Sequence, residues 1–127
     1  MPKVEWMVNY EFAESHRIKS YREKHAEEFD ACVANLARVM EALADFGKPG
    51  AFHLGFFRSE GGNVWRIGQT RVKHACETRL YVYLYVKGLM VYVLTVGDKS
   101  QQRKDILRCK NLAKAIGERD GNEGEKR

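Results

Sequence analysis

The spacing of apolar residues changes along the chain. Between residues 14 and 46 it is helical: Phe29, Val33, Leu36, Met40 and Leu43 recur at steps of four and three and share one face. From Arg79 the period drops to two. Leu80, Val82, Leu84 and Val86 alternate with Tyr81, Tyr83 and Tyr85, a strand with one aliphatic and one tyrosine face. Lys87-Gly88 predicts a two-residue turn. A more apolar strand follows and ends in Gly97-Asp98-Lys99-Ser100. Ser100 is placed to cap a last helix with Ile106, Cys109, Leu112, Ala113 and Ile116 as its buried stripe. Arg103, Lys104, Arg108, Lys110 and Lys114 lie more outward on it.

The remaining segments fill in the order. Residues 4–12 are rich in β-formers and predict an opening strand. Ser15 to His25 is helical in composition but highly charged. No Gly or Pro separates it from the next segment, so one long helix and a helix pair both fit. Glu27, Glu28 and Asp30 suit the positive end of a helix dipole, and Gly47, Pro49 and Gly50 are expected to end that helix. Residues 51–57 are a short strand candidate, 59–63 a turn and 64–67 a strand. Residues 68–78 are polar and carry no assignment. Residues 117–127 lack apolar content and predict a disordered tail after a single domain over 1–116. Consecutive strands with tight turns predict an α+β fold with an antiparallel sheet of four or five strands. The N-terminal helix or helix pair packs on one face, the C-terminal helix closes the chain, and the other face stays open.

Composition narrows the class. At 127 residues and 44% hydrophobic, the chain fits one soluble domain. No apolar run approaches the roughly 20 residues of a membrane-spanning helix. Lys3, Glu5 and Asn9 interrupt any secretory leader. Cys32, Cys76 and Cys109 have neither metal-ligand nor disulfide-framework spacing, so a reduced, cytoplasmic protein without metal or other cofactor is expected. The charge is uneven. Residues 1–63 hold eight Lys and Arg against ten Asp and Glu, a net −2; residues 64–127 hold fourteen against seven, a net +7. A polyanion partner for one face follows from that gradient, although a merely solvated basic surface has the same composition.

Metal-free RNA cleavage needs a base for the 2′-hydroxyl, an acid for the leaving 5′-oxygen and cations for the phosphorane. The cluster Arg66, Arg71, Lys73, His74, Arg79 and Lys99 could supply all of them. No acidic pair with metal-ligand spacing competes, which disfavours a magnesium nuclease. Each candidate has a plainer alternative: strand arginines on a solvated face, a lysine after a turn, an ordinary loop histidine. Tyrosines 81, 83 and 85 fit packing, with Tyr81 a candidate for stacking on RNA beside Arg71, Arg103 and Lys104. His16, His25 and His53 are scattered and imply no ligand role.

The element order resembles the RelE/HigB/ParE superfamily of toxins from toxin–antitoxin modules. Gly61-Gly62-Asn63-Val64-Trp65-Arg66-Ile67, Arg79-Leu80-Tyr81, Gly97-Asp98-Lys99-Ser100-Gln101-Gln102 and Asp105-Ile106 look like motifs of its HigB-like addiction-module-killer branch. The likeness covers about residues 46–116 and extends to the N-terminal third by element type alone. It implies a translation-inhibiting endoribonuclease that cuts messenger RNA, often on the ribosome. Arg66 and Arg79 then lie near the scissile phosphate, Lys99 adds a cation at the strand end, and Lys73 and His74 fall near the acid–base position. It also implies a cognate antitoxin that covers the basic face. The segment from Ile67 to Arg79 is longer than in compact members, and Asp105 stands near where some carry a terminal tyrosine. Two other readings stay open: a ParE-like inhibitor of DNA gyrase, and a non-catalytic protein of the same fold that binds RNA or an acidic partner.

Overall fold

A computed structural model describes residues 5–13, 15–70, 72 and 77–125. Strand β1 (Met7–Asn9) leads into helices α1 (His16–Lys24) and α2 (Ala26–Phe52). Strands β2 (Phe57–Gly61), β3 (Val64–Gly68), β4 (Thr78–Tyr85) and β5 (Met90–Asp98) follow, then helix α3 (Gln102–Glu125). The architecture is α+β, with a five-stranded sheet in the order β1-β5-β4-β3-β2.

The sheet is mixed rather than antiparallel throughout. The β2–β3, β3–β4 and β4–β5 pairs are antiparallel, whereas β1 runs parallel to β5 and matches Met7 to Met90. No short connection joins β1 to β5; two helices and three strands intervene, so no hairpin imposes an antiparallel pair.

The N-terminal helical region is a pair. His25, at φ −133° and ψ 56°, breaks the helix. Its N–H still closes α1 on Tyr21 O at 2.8 Å, while its carbonyl accepts from Phe29 N at 2.9 Å and opens α2. Gly47 kinks α2 instead of ending it, with φ 70°, which favours glycine. Helix resumes after the kink, and Pro49 sits in its first turn, where a missing N–H does no harm. The strand expected over 51–57 is therefore mostly helix end and turn, and only Phe57 enters the sheet.

Two cores flank the sheet. On one side α1 and α2 bury Ile18, Cys32, Leu36, Val39 and Leu43 against Ile67, Leu80, Val82, Leu84 and Val91. The buried stripe of α2 runs through Cys32, Leu36 and Val39, and Val33 is exposed, one residue off the expected face. On the other side α3 lays Cys109, Ala113 and Ile116 over Val64, Tyr81, Tyr92 and Leu94. That second face is thus covered, not open. Burial pushes the Cys32 and Cys109 thiols up to about 12, so neither is a ready nucleophile.

Three turns differ in detail from the expected ones. Residues 86–89 connect β4 to β5 through one 3₁₀ turn, with Leu89 left-handed at φ 53°, in place of a two-residue turn. Ser100 does not cap the last helix but lies in a 3₁₀ turn over residues 99–101 that leads into α3, and Asp98 caps that turn: its carboxylate accepts from Ser100 N at 2.9 Å and Gln101 N at 3.3 Å. Those bonds, with the Ser100 hydroxyl first, hold the Asp98 carboxyl below its ordinary value. Residues 117–125 continue α3 as helix rather than forming a tail. Arg119 forks onto Glu11 at 2.7 and 3.2 Å, and Tyr92 donates its hydroxyl to Asp120.

One ion pair locks α3 in place. Arg17 Nη2 lies 2.7 Å from Oδ1 of Asp105, whose side chain is 1% exposed. Arg17 Nε also donates to Val96 O at 3.1 Å. Gly97 sits beneath the carboxylate, where a Cβ would collide with Asp105 Oδ2. Burial raises the Asp105 pKa, and Arg17 offsets part of the rise. Arg17→Ala strands a buried charge, and urea titration is expected to show a loss of about 3 kcal/mol. A carboxyl whose folded pKa is raised favours the folded state when protonated, and removing Arg17 raises it further. The deficit of Arg17→Ala should therefore shrink as pH falls toward the ordinary aspartate value of about 3.9; a deficit that widens on acidification would contradict this.

Candidate functional site

A cleft of about 520 Å³ opens at the end of the sheet where β3 finishes and β4 begins. Its framework is fixed by polar side chains. Asn35, buried on α2, donates to Gly68 O at 2.8 Å and to Thr70 Oγ1 at 3.3 Å. Gln69 Oε1 accepts from Thr78 N at 2.9 Å, and the Tyr21 and Thr78 hydroxyls meet at 2.7 Å. Gly68 N donates to Phe56 O at 2.9 Å. These bonds hold the strand ends, α2 and the 53–56 turn in one arrangement.

Four arginines line the cleft: Arg38 from α2, Arg58 from β2, Arg66 from β3 and Arg79 from β4. His53, Leu54, Gly55, Phe56, Gly68, Gln69 and Thr70 complete the lining, and no carboxylate is among the described residues there. Arg38 lies over the Phe56 ring at 4.8 Å, a cation–π contact. Arg58 and Arg66 are direct cross-strand partners, an arrangement that like charges disfavour. Glu60 relieves it in part through Arg66 Nε at 3.2 Å. The Arg79 side chain is 16% exposed, and its buried Nε has no hydrogen-bond partner. Guanidinium groups gathered in one cleft have planar forks of donors that suit the oxygens of an oxyanion.

The sequence-predicted residues divide. Arg66 and Arg79 share the cleft. Lys99 stands at its margin: Glu77 Oε2 lies 3.8 Å from both Lys99 Nζ and Arg79 Nη2, a loose and exposed bridge. Arg103 and Lys104 are exposed on the first turns of α3 and do not line the cleft. Arg71, Lys73 and His74 lie outside the described residues. Tyr81 does not fit an RNA-stacking role. It is fully buried beneath α3, and burial raises its hydroxyl well above the ordinary value. The sequence reading missed Arg38, Arg58 and His53. The turn expected over 59–63 is confined to Gly62-Asn63, because β2 continues to Gly61; that hairpin sets Arg58 opposite Arg66, and the irregularity between Ser59 and Gly61 blurs the register in the sequence.

No family model, curated protein or solved structure matches this chain. Among the described residues no helix is long and apolar enough to cross a membrane. Nor does any group of three His, Cys, Asp or Glu there come together as metal ligands would.

The buried Tyr81 hydroxyl has no hydrogen-bond partner. Tyr81→Phe removes that orphan, so stability should hold or rise by about 1 kcal/mol in urea titration.

Proposed function

We propose that the arginine cleft grips the phosphate backbone of RNA. In this reading the protein is a metal-independent endoribonuclease acting on messenger RNA in the cytoplasm, free or on the ribosome. Its role is that of the toxin in a toxin–antitoxin module of the RelE and HigB kind. The observation that carries the reading is the convergence of Arg38, Arg58, Arg66 and Arg79 on a cleft with no carboxylate among its described lining residues. Such a site suits a phosphodiester in two ways. Its cations offset the substrate charge on binding, and they stabilise the further charge that builds on the phosphorane. A net charge of +5 adds long-range attraction for a polyanion. An antitoxin with an acidic segment would neutralise the protein by occupying the same cleft.

A second reading keeps the RNA and drops the cleavage. Arg66 and Arg79 already have Glu60 and Glu77 as ion-pair partners, which fits a site tuned to hold a backbone rather than to turn it over.

Incubation of the purified protein with messenger RNA, with and without ribosomes, separates the two. The nuclease reading expects cleavage, growth arrest on expression, and loss of both in Arg79→Ala. Salt-sensitive binding that leaves RNA intact supports the second reading. Absence of binding and cleavage alike rejects both.

Arg58→Ser tests the grip directly. Removing one of two opposed cations should stabilise the free protein by about 0.2–1 kcal/mol. It should also weaken RNA binding and flatten the dependence of log affinity on log salt. Tighter binding by this variant would contradict the assignment of the cleft.

A further inference from the structure

We propose that His53 is the proton-transfer group of the arginine cleft, an inference that rests on the nuclease reading above. Its position is fixed by the end of α2. Phe52 stacks on Trp65 at 4.4 Å and 15°, and Trp65 stacks on Phe57 at 4.3 Å and 14°. This aromatic group fastens the helix end to β2 and β3. The His53 backbone closes the last helical turn, with its N–H directed to Gly50 O at 3.4 Å. The side chain itself is exposed and lines the cleft with Arg66 and Arg79.

The chemistry of the lining singles His53 out. Guanidinium groups stay protonated and accept no proton. Gln69 and Thr70 are neutral, and Leu54 and Phe56 are apolar. Among the described lining residues only an imidazole can both take and give a proton near neutral pH. The arginines supply charge stabilisation without acid–base chemistry, and His53 supplies acid–base chemistry without being needed for the grip.

The step balances without a metal or redox partner. Neutral His53 removes the proton of a ribose 2′-hydroxyl. The 2′-oxygen forms a bond to phosphorus and the bond from phosphorus to the 5′-oxygen breaks. The departing oxygen takes a proton from water, and the hydroxide so formed takes the proton back from the imidazolium. The products are a 2′,3′-cyclic phosphate and a 5′-hydroxyl end.

The test uses the full chain and a single-stranded oligoribonucleotide, with and without ribosomes. His53→Ala is expected to lower the cleavage rate by about a hundredfold to ten-thousandfold. Added imidazole should restore part of the rate. Binding of the 2′-O-methyl copy of the same oligonucleotide, which cannot be cut, should match wild type. Cleavage by His53→Ala at the wild-type rate overturns the role of His53 and leaves the nuclease reading standing. Loss of cleavage with equal loss of 2′-O-methyl binding also overturns it, because His53 then serves the grip. No cleavage by the wild type under either condition overturns the nuclease reading and this role together.

Discussion

A buried carboxylate on α3 and a guanidinium from α1 determine what the sheet can present to a partner. Asp105 is almost wholly removed from solvent and is answered by Arg17 at 2.7 Å. A desolvated carboxylate without that cation would be strongly unfavourable, so the first turns of α3 are held close to α1. The same arginine serves the edge of β5. β1 pairs only with Met90 to Tyr92, and Arg17 Nε bonds to Val96 O farther along that strand. Gly97 lets the carboxylate approach the strand. With α3 seated there, the tyrosine side of β4 becomes a core. The arginine cleft lies at the rim of the sheet, away from the face that α3 covers.

Local regularities were legible in the sequence. The period of two over Leu80 to Tyr85 placed the aliphatic and tyrosine side chains on opposite faces, as they are. The stripe Ile106, Cys109, Ala113 and Ile116 faces the sheet as its spacing required. What the pattern did not convey was which partner each face meets. Tyrosine alternating with aliphatic residues reads as a half-solvated strand, because tyrosine tolerates both water and burial. Its cover came from α3, and helix placement depends on contacts such as Arg17 to Asp105 that join residues far apart in sequence. Gly47 and Pro49 had a similar ambiguity. They stop a helix in isolation, yet packing of Ala51 and Phe52 allows a further turn after the kink.

The candidate site was half legible for the same reason. Arg66 and Arg79 were accessible to motif comparison because they sit in strands with strong local patterns. Arg38 and Arg58 come from the half of the chain whose net charge is −2, and counting charge by halves pointed away from them. His53 follows a helix whose end was misplaced by several residues, so its nearness to the strand arginines had no linear signature. Convergence of groups from α2, β2, β3 and β4 is a property of the fold, and composition carries no trace of it.

Placing Arg58 opposite Arg66 is unfavourable in the free protein and persists beside Glu60, which pairs with Arg66. Arg79 leaves a buried donor unused. On the proposed reading, an oxyanion in the cleft would relieve the repulsion between Arg58 and Arg66. The four cations also sit on four separate elements. An anion that touches all of them ties α2 to the strand ends, reinforcing the bonds that Asn35 makes to Gly68 and Thr70. On the proposed reading, occupancy of the cleft and order at this end of the sheet would favour each other.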